Sequence, residues 1–219
     1  MKGDTSVELH SRAISPFAAR VRVSILAKNL PVRIIESPDV SSDAYAQLNP
    51  FRRVPVLVLD DGTALPESEV IVQYLEERYP EVSLLPADAA ARARVRLVAR
   101  AAELYVFPAV LELFTALATG SVTPHPVTAL EQNLQRLDAL LDPARPSWHV
   151  SGAALSSGDA ALAPFLLYVE ALGPALDCRL LEPCAQLSKF LAGAQREPTL
   201  TTVLQEMARA LAAARGGAR

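Results

Sequence analysis

Between Tyr79 and Pro86 the chain changes character, and no other feature of its 219 residues constrains the fold as strongly. Before Pro80, short β-branched runs alternate with stretches of helical period; beyond Pro86 the sequence is Ala/Leu-rich and helical almost throughout. The connector, Tyr79-Pro-Glu-Val-Ser-Leu-Leu-Pro86, is bracketed by two prolines that neither helix nor sheet continues through readily. The reading is an α/β domain over 1–80, a linker over 81–86 and an all-helical domain over 87–219.

Composition narrows the class. About half of the residues (51%) are apolar and 21% are charged, the proportions of a compact soluble chain. A formal net charge of −3 leaves no excess of Lys and Arg to neutralise phosphates and no Lys/Arg block stands out, so nucleic acid is not an expected partner. No run of some twenty apolar residues is set out to span a bilayer, and Met1 to Ser6 is polar, so the expectation is a cytoplasmic protein with no membrane partner. The two cysteines, Cys178 and Cys184, suit neither a zinc clip nor a disulfide framework and read as buried small hydrophobes. His10, His125 and His149 are scattered without ligand spacing, so no metal is expected.

In the first domain, Ser6-Val-Glu-Leu-His10 alternates as a strand does. Ser15-Pro16 then starts a helix with proline at its first position, where the missing N–H costs nothing, and Phe17, Val21 and Ile25 recur at helical spacing. Asn29 can close that helix in a left-handed conformation before the strand Val32-Arg-Ile-Ile35, which makes a βαβ unit with parallel strands. A weakly helical stretch from Ser41 to Leu48 leads to the strand Pro55-Val-Leu-Val-Leu59. Asp61-Gly62 reads as a two-residue hairpin turn into the short strand Thr63-Ala-Leu65. Ser68 opens a last helix with Val70, Ile71, Tyr74 and Leu75 on its buried side.

The second domain offers helices near 88–118, 127–142, 157–172, 181–193 and 199–214, with a low-complexity tail from Ala208 to Arg219 expected to fray. Ser156-Ser-Gly-Asp159 is a capping box in its Asp form, and it starts what reads as a central buried helix.

The order βαβ, irregular helix, ββα is that of the thioredoxin-like fold, and three motifs make it more specific. Ser15-Pro16-Phe17-Ala-Ala-Arg20-Val21-Arg22 looks like the start of the first helix in tau-class glutathione transferases, with Ser where the omega class has Cys. Asn49-Pro50-Phe51-Arg52-Arg53-Val54-Pro55 is similar to that family's segment leading into its third strand. Leu65-Pro66-Glu67-Ser68-Glu69-Val70-Ile71 is similar to its entry into the helix that follows. In this order and followed by a helical half, the three motifs resemble the cytosolic glutathione S-transferases over nearly the whole chain.

The resemblance implies an enzyme that uses glutathione as co-substrate, without a metal, for attack on a small apolar electrophile, and a homodimer in a detoxifying role. It implies glutathione contacts at Arg53, Val54, Pro55, Glu67 and Ser68. A cis bond at Val54-Pro55 would turn the Val54 N–H and C=O outward, so that the ligand could pair there like a strand. Glu67-Ser68 at a helix start sets an acceptor for an ammonium beside donors for a carboxylate, although Ser68 could equally be a plain N-cap. Ser15 would hold the thiolate, lowering a thiol pKa of about 8.5 from a helix N-terminus. Ser11 is the alternative hydroxyl, backbone N–H groups are a third possibility, and Ser15 as no more than a cap remains a fourth. The second-substrate pocket would draw on Ala13, Ile14, Phe17, Tyr105, Phe107 and Leu111. A thiol–disulfide reductase would need a cysteine near position 15, and there is none. A non-catalytic scaffold, an isomerase and a dehalogenase stay open.

Overall fold

The structure, a computed structural model, describes residues 7–216. β1 (Glu8–Ser11), α1 (Pro16–Ala27) and β2 (Arg33–Glu36) form the βαβ unit, with β1 and β2 parallel. Ser6, the expected first residue of β1, lies outside the described residues. α1 closes where Asn29 adopts a left-handed conformation (φ 51°), with its N–H on the Leu26 carbonyl at 3.0 Å and the Leu30 N–H on that of Ile25 at 3.0 Å. α2 (Asp43–Leu48), β3 (Val56–Val58), β4 (Ala64–Pro66) and α3 (Ser68–Arg78) follow. The sheet order is β2-β1-β3-β4, with β3 antiparallel to both neighbours: a thioredoxin-like domain.

Two local expectations change. The β3–β4 turn has three residues, because the Leu59 N–H bonds the Thr63 carbonyl at 2.9 Å and the Gly62 N–H bonds the Leu59 carbonyl at 3.0 Å. The Asp61 carboxylate accepts the Thr63 N–H at 2.8 Å, an Asx turn that selects the longer loop and leaves the positive φ to Gly62. On α3 the buried stripe is Ile71, Val72 and Leu75, while Val70 is exposed and Tyr74 half-buried. Those three pack with Leu9, Val21, Ile25 and Leu57 into the core of this domain.

The helical part holds α4 (Ala89–Ala101), a π-helical turn (Ala102–Val106), α5 (Phe107–Thr119), α6 (Pro124–Ala139), α7 (Ser157–Leu176), α8 (Ala185–Ala194) and the beginning of α9 (Pro198–Gly216). The single helix expected near 88–118 is thus interrupted. Pro108 is the physical reason: it has no N–H to give and its ring crowds the carbonyl four residues back, and widening the preceding turn relieves both. The Tyr105 carbonyl accepts from Asn133 Nδ2 at 2.8 Å. Pro124 takes a first-turn position and moves the start of α6 ahead of the expected residue 127. Pro183 sits in the turn that delays α8 to Ala185, where the Cys184 N–H bonds the Leu181 carbonyl at 3.0 Å. α4 also shows Arg92, Arg94, Arg96 and Arg100 all exposed, a cluster of cations that the reading of overall charge passed over.

By contacts the chain divides into two units, Met1–Leu84 with Thr202–Arg219, and Leu85–Thr201. α9 is therefore shared, whereas composition assigned everything beyond Pro86 to one helical half. Nor does the described part of the tail fray: helix continues to Gly216, and Met207 and Leu211 are buried. The last residues, 217–219, lie outside the described part. By length and composition alone, 89–119 and Ser157–Leu176 could cross a membrane, contrary to the expectation that no such run exists. α7 is a core helix, buried from Gly158 to Leu166 and again at Tyr168, Val169 and Leu172.

The capping box that starts α7 is formed. Oδ1 of Asp159 accepts the Val150 N–H at 2.7 Å, and Oδ2 accepts the N–H and the hydroxyl of Ser156, each at 2.7 Å. Burial pushes the Asp159 carboxyl up to about 6, against the pull of the Ser156 and Val150 hydrogen bonds and the Arg145 charge. A folded pKa above the ordinary 3.8 means that folding favours the protonated acid. This contribution is complete below about pH 3.8 and lost as pH rises through about 6, a span of about 3 kcal/mol. Asp159→Asn, which cannot ionise, should remove that pH dependence, and Asp159→Ala should cost about 2–4 kcal/mol at pH 5 by stripping three donors of their acceptor. Denaturant melts between about pH 4 and pH 7 check both.

Candidate functional site

The register of the sheet brings the three motifs to one end of it. His10 pairs with Val56 and Val56 with Pro66, so the exit of β1, the entry of β3 and the exit of β4 lie side by side. Ser15, Val54 and the pair Glu67-Ser68 each follow or precede these residues by a short stretch of chain.

Ser15 is the N-cap of α1, and its Oγ accepts the Ala18 N–H at 3.2 Å. That contact uses a lone pair and leaves the hydroxyl proton to donate elsewhere, so capping and ligand binding are compatible roles. The side chain is half-buried, and the first turn of α1 carries no acidic residue to compensate its dipole. Ser11 differs: it is fully buried, and among the described residues its hydroxyl has no hydrogen-bond partner. Ala13, Ile14 and Phe17, all half-buried, flank Ser15.

The segment before β3 is wired through one carbonyl. The Arg53 C=O accepts from the Tyr45 hydroxyl at 2.9 Å and from Asn49 Nδ2 at 2.8 Å, while Asn49 Oδ1 accepts the Phe51 N–H at 2.9 Å. Tyr45 and Asn49 are four residues apart on and just beyond α2, so one face of a short helix holds the whole turn. The Arg53 residue itself is exposed. The Val54-Pro55 bond is cis, as the resemblance implies, and among the described residues no hydrogen bond engages the Val54 N–H or C=O.

At the start of α3 the N-cap is Glu67, not Ser68. Glu67 stands at φ 71°, a conformation that costs a non-glycine residue about 1–3 kcal/mol, and its side chain caps nothing. Ser68 is therefore the first helical residue, buried, and the first-turn N–H groups have no side-chain cap. Among the described residues, no side chain caps this helix start, which keeps its capacity to bind an anion.

Sequence reasoning missed what joins these pieces. Arg20, with only 1% of its side chain exposed, donates from Nη1 to Oε2 of Glu69 at 3.1 Å, and Oε1 of Glu69 accepts from Gln73 Nε2 at 3.1 Å. A buried ion pair thus ties α1 to the first turn of α3. A signal for it existed, because Pro16, Arg20 and Ser24 recur every four residues beside the apolar stripe, which places Arg20 on a buried face.

In the helical unit the expected pocket residues part company. Phe107 is a core side chain, its ring 4.9 Å from that of Phe165 and 5.8 Å from that of Tyr168. Tyr105 is exposed and lines a separate apolar cavity of about 250 Å³ with Leu97, Ala101, Asn133, Leu137 and Leu140. Leu111 is exposed one turn on. Two positions apart on a helical backbone, Tyr105 and Phe107 point in different directions. Burial pushes both thiols up, that of Cys184 to about 11, so neither is poised as a thiolate.

The family described as "Glutathione S-transferase, N-terminal domain" matches residues 9–83. The N-terminal domain belongs to that family. Maleylacetoacetate isomerase of Pseudomonas aeruginosa is 40% identical over 99 residues, which is 42% of this chain and 47% of that relative; the chain spans about half the length of the curated relatives it matches at this level. Along the whole chain the fold is that of a glutathione transferase. The tau-class enzyme of mango superposes with a TM-score of 0.83 at 20% identity, covering 97% of this chain and 99% of that one. A glutathione transferase of Methylobacillus flagellatus, solved with glutathione bound, gives 0.72 at 24% identity over 90% of this chain and 98% of that one.

The ion pair between α1 and α3 is asymmetric. Glu69→Ala takes one carboxylate from a buried guanidinium, whereas Arg20→Met leaves a carboxylate 35% exposed, which water can solvate, so the first should destabilise more than the second. Urea melts of both single variants and the double variant measure the difference and the coupling.

Proposed function

We propose that this protein is a glutathione transferase that binds glutathione across the β1, β3 and β4 end of its sheet and stabilises the thiolate for attack on an apolar electrophile. The observation that carries the reading is the set of backbone groups that, among the described residues, have no partner at that one end: the Val54 N–H and C=O, and the first turn of α3 behind Glu67. An extended peptide with an amino-acid head group fits such a set. The Val54 edge takes the cysteinyl part as a strand would, with Arg53 and Pro55 flanking it. The Ser68 N–H and hydroxyl face the γ-glutamyl carboxylate, and Glu67 accepts from the ammonium.

Ser15 then holds the sulfur. Its hydroxyl proton is available and its helix start uncompensated, whereas Ser11 is buried away from solvent. The role is electrostatic: the hydroxyl and the positive end of α1 favour thiolate over thiol, and the thiolate does the chemistry. The electrophile would sit by Ala13, Ile14 and Phe17. A second reading, glutathione-dependent cis–trans isomerisation, is favoured by one observation, the maleylacetoacetate isomerase at 40% identity over the matched stretch. It would use the same thiolate, adding to and leaving an unsaturated acid, so turnover without net glutathione consumption distinguishes it. A non-catalytic scaffold has no use for Ser15 with its free proton or for the strained Glu67.

A cytoplasmic homodimer with a detoxifying role belongs to the same reading. Phe51 is 70% exposed and the cavity beside Tyr105 is open, two uncovered apolar features of the kind that a partner subunit covers. Phe51→Glu should shift sedimentation from dimer towards monomer at micromolar concentration, and a wild type that is already monomeric there speaks against the dimer.

For the site, Glu67→Ala and Ser68→Ala should each raise the KM for glutathione with a smaller effect at saturation, because those contacts exist in ground and transition states alike. Ser15→Ala should leave binding largely intact, raise the pH at which bound thiol titrates by about one to two units and slow turnover about tenfold to a hundredfold. Thiolate absorbance against pH reads the first, and aryl-halide conjugation the second. Bound thiol titrating at the wild-type pH in Ser15→Ala would reduce Ser15 to a cap.

A further inference from the structure

The loop that presents Ser15 is held from outside as well as by its own turn. Within it, the Ser15 N–H bonds the Arg12 carbonyl at 2.9 Å; Arg12 in turn donates to the Pro38 carbonyl at 3.3 Å, and the Ser37 N–H bonds the Ser11 carbonyl at 2.9 Å. At its centre the Ala13 N–H donates to Oε2 of Glu36 at 3.1 Å. The other oxygen of Glu36 accepts from Nη1 of Arg22 at 3.3 Å, and Nη2 of the same guanidinium donates to Oε2 of Glu206 on α9. The Arg22 side chain is only 15% exposed, against 43% for Glu36 and 39% for Glu206.

One mostly buried cation therefore pins two half-exposed carboxylates, and one of these grips the backbone two residues before Ser15. A lone surface Glu would wander among rotamers. Glu36 has one oxygen committed to the loop and the other to a guanidinium that α9 also holds, so its position is over-determined. The direction of the Ser15 hydroxyl follows from the backbone angles of this loop, and a donor must be placed to a few tenths of an ångström to favour a thiolate. α9 enters because its residues from Thr202 on group with the sheet domain, far along the chain from everything else at the site.

We infer that Glu36 and Arg22 are positioning residues for Ser15, and that the C-terminal helix takes part in setting the thiol-facing loop through Glu206. The inference rests on the reading of Ser15 as the thiolate's donor. Four full-length variants test it: Glu36→Ala, Glu36→Gln, which keeps an acceptor for the Ala13 N–H but loses the ion pair, Arg22→Met and Glu206→Gln. The first readout needs no glutathione. Hydrogen exchange of the Ala13 amide should speed up about tenfold in Glu36→Ala, less in Arg22→Met and least in Glu36→Gln. The second is the titration of bound thiol, whose midpoint should rise by about half a unit in Glu36→Ala, with turnover down about threefold to tenfold and the KM for glutathione within about twofold. Glu206→Gln should give a smaller shift of the same sign that disappears in high salt, as a half-exposed pair requires.

Lower melting temperatures with unchanged Ala13 exchange and an unchanged thiol titration would make these residues merely structural and overturn the inference. So would faster Ala13 exchange with no movement of the titration, because the loop would then be tied without Ser15 being positioned. A wild type that shows no bound thiolate at all ends the transferase reading instead. The Ala13 exchange series would in that case still decide whether Glu36, Arg22 and Glu206 hold the loop.

Discussion

The site depends on backbone groups that the fold leaves without partners. A buried or half-buried N–H is almost always paired, and here, among the described residues, two clusters at one end of a four-stranded sheet are not fully used: the residue before the cis proline and the first turn of α3. Leaving them open is tolerable only where water or a ligand can reach them. The sheet register puts both at the same end of the sheet, beside the start of α1.

Open backbone groups lose their value if the segments that bear them drift, and each is held by polar contacts reaching in from the side. Asn49 and Tyr45 converge on the Arg53 carbonyl and fix the approach to Val54. The two arginines of α1 divide the rest between them, Arg20 reaching α3 through Glu69 and Arg22 reaching β2 and α9 through Glu36 and Glu206. A third cation of α1 works away from the site. Lys28, its side chain 1% exposed, donates to the Tyr79 and Val82 carbonyls at 2.8 and 2.6 Å and pairs with Glu76 at 2.9 Å, holding down the chain just before it leaves the domain. In each case a long cationic side chain lies along apolar neighbours and delivers its charge to backbone or carboxylate oxygens. Burying such cations is costly unless they are paired, which is why each comes with a carboxylate from another element.

The helical part follows a different logic, in which proline placement decides direction. Pro108 opens the turn before it, where Tyr105 faces the surface and Phe107, two positions on, faces the core. The resemblance had implied that both line one pocket. Asp159, by contrast, does what its position in the sequence suggested, because a capping box is a contact between residues three apart and needs nothing from the rest of the fold.

That distinction runs through the whole molecule. The sequence by itself determined the order of elements, the left-handed Asn29, the capping boundary at Ser156 and the segments that make the site, since each rests on interactions within a few residues or on a hydrophobic period. Tertiary structure decided which of those segments meet, that Ser68 follows the cap and is not itself the cap, and that Ser15 is reachable while Ser11 is buried. It also decided the partners of Arg20 and Arg22, which lie 49 and 184 positions away at Glu69 and Glu206. The physical reason is range. Caps, turns and amphipathic stripes are written in local spacing, whereas a buried charge takes whichever opposite charge the packed chain brings beside it, and no spacing in the sequence records that choice.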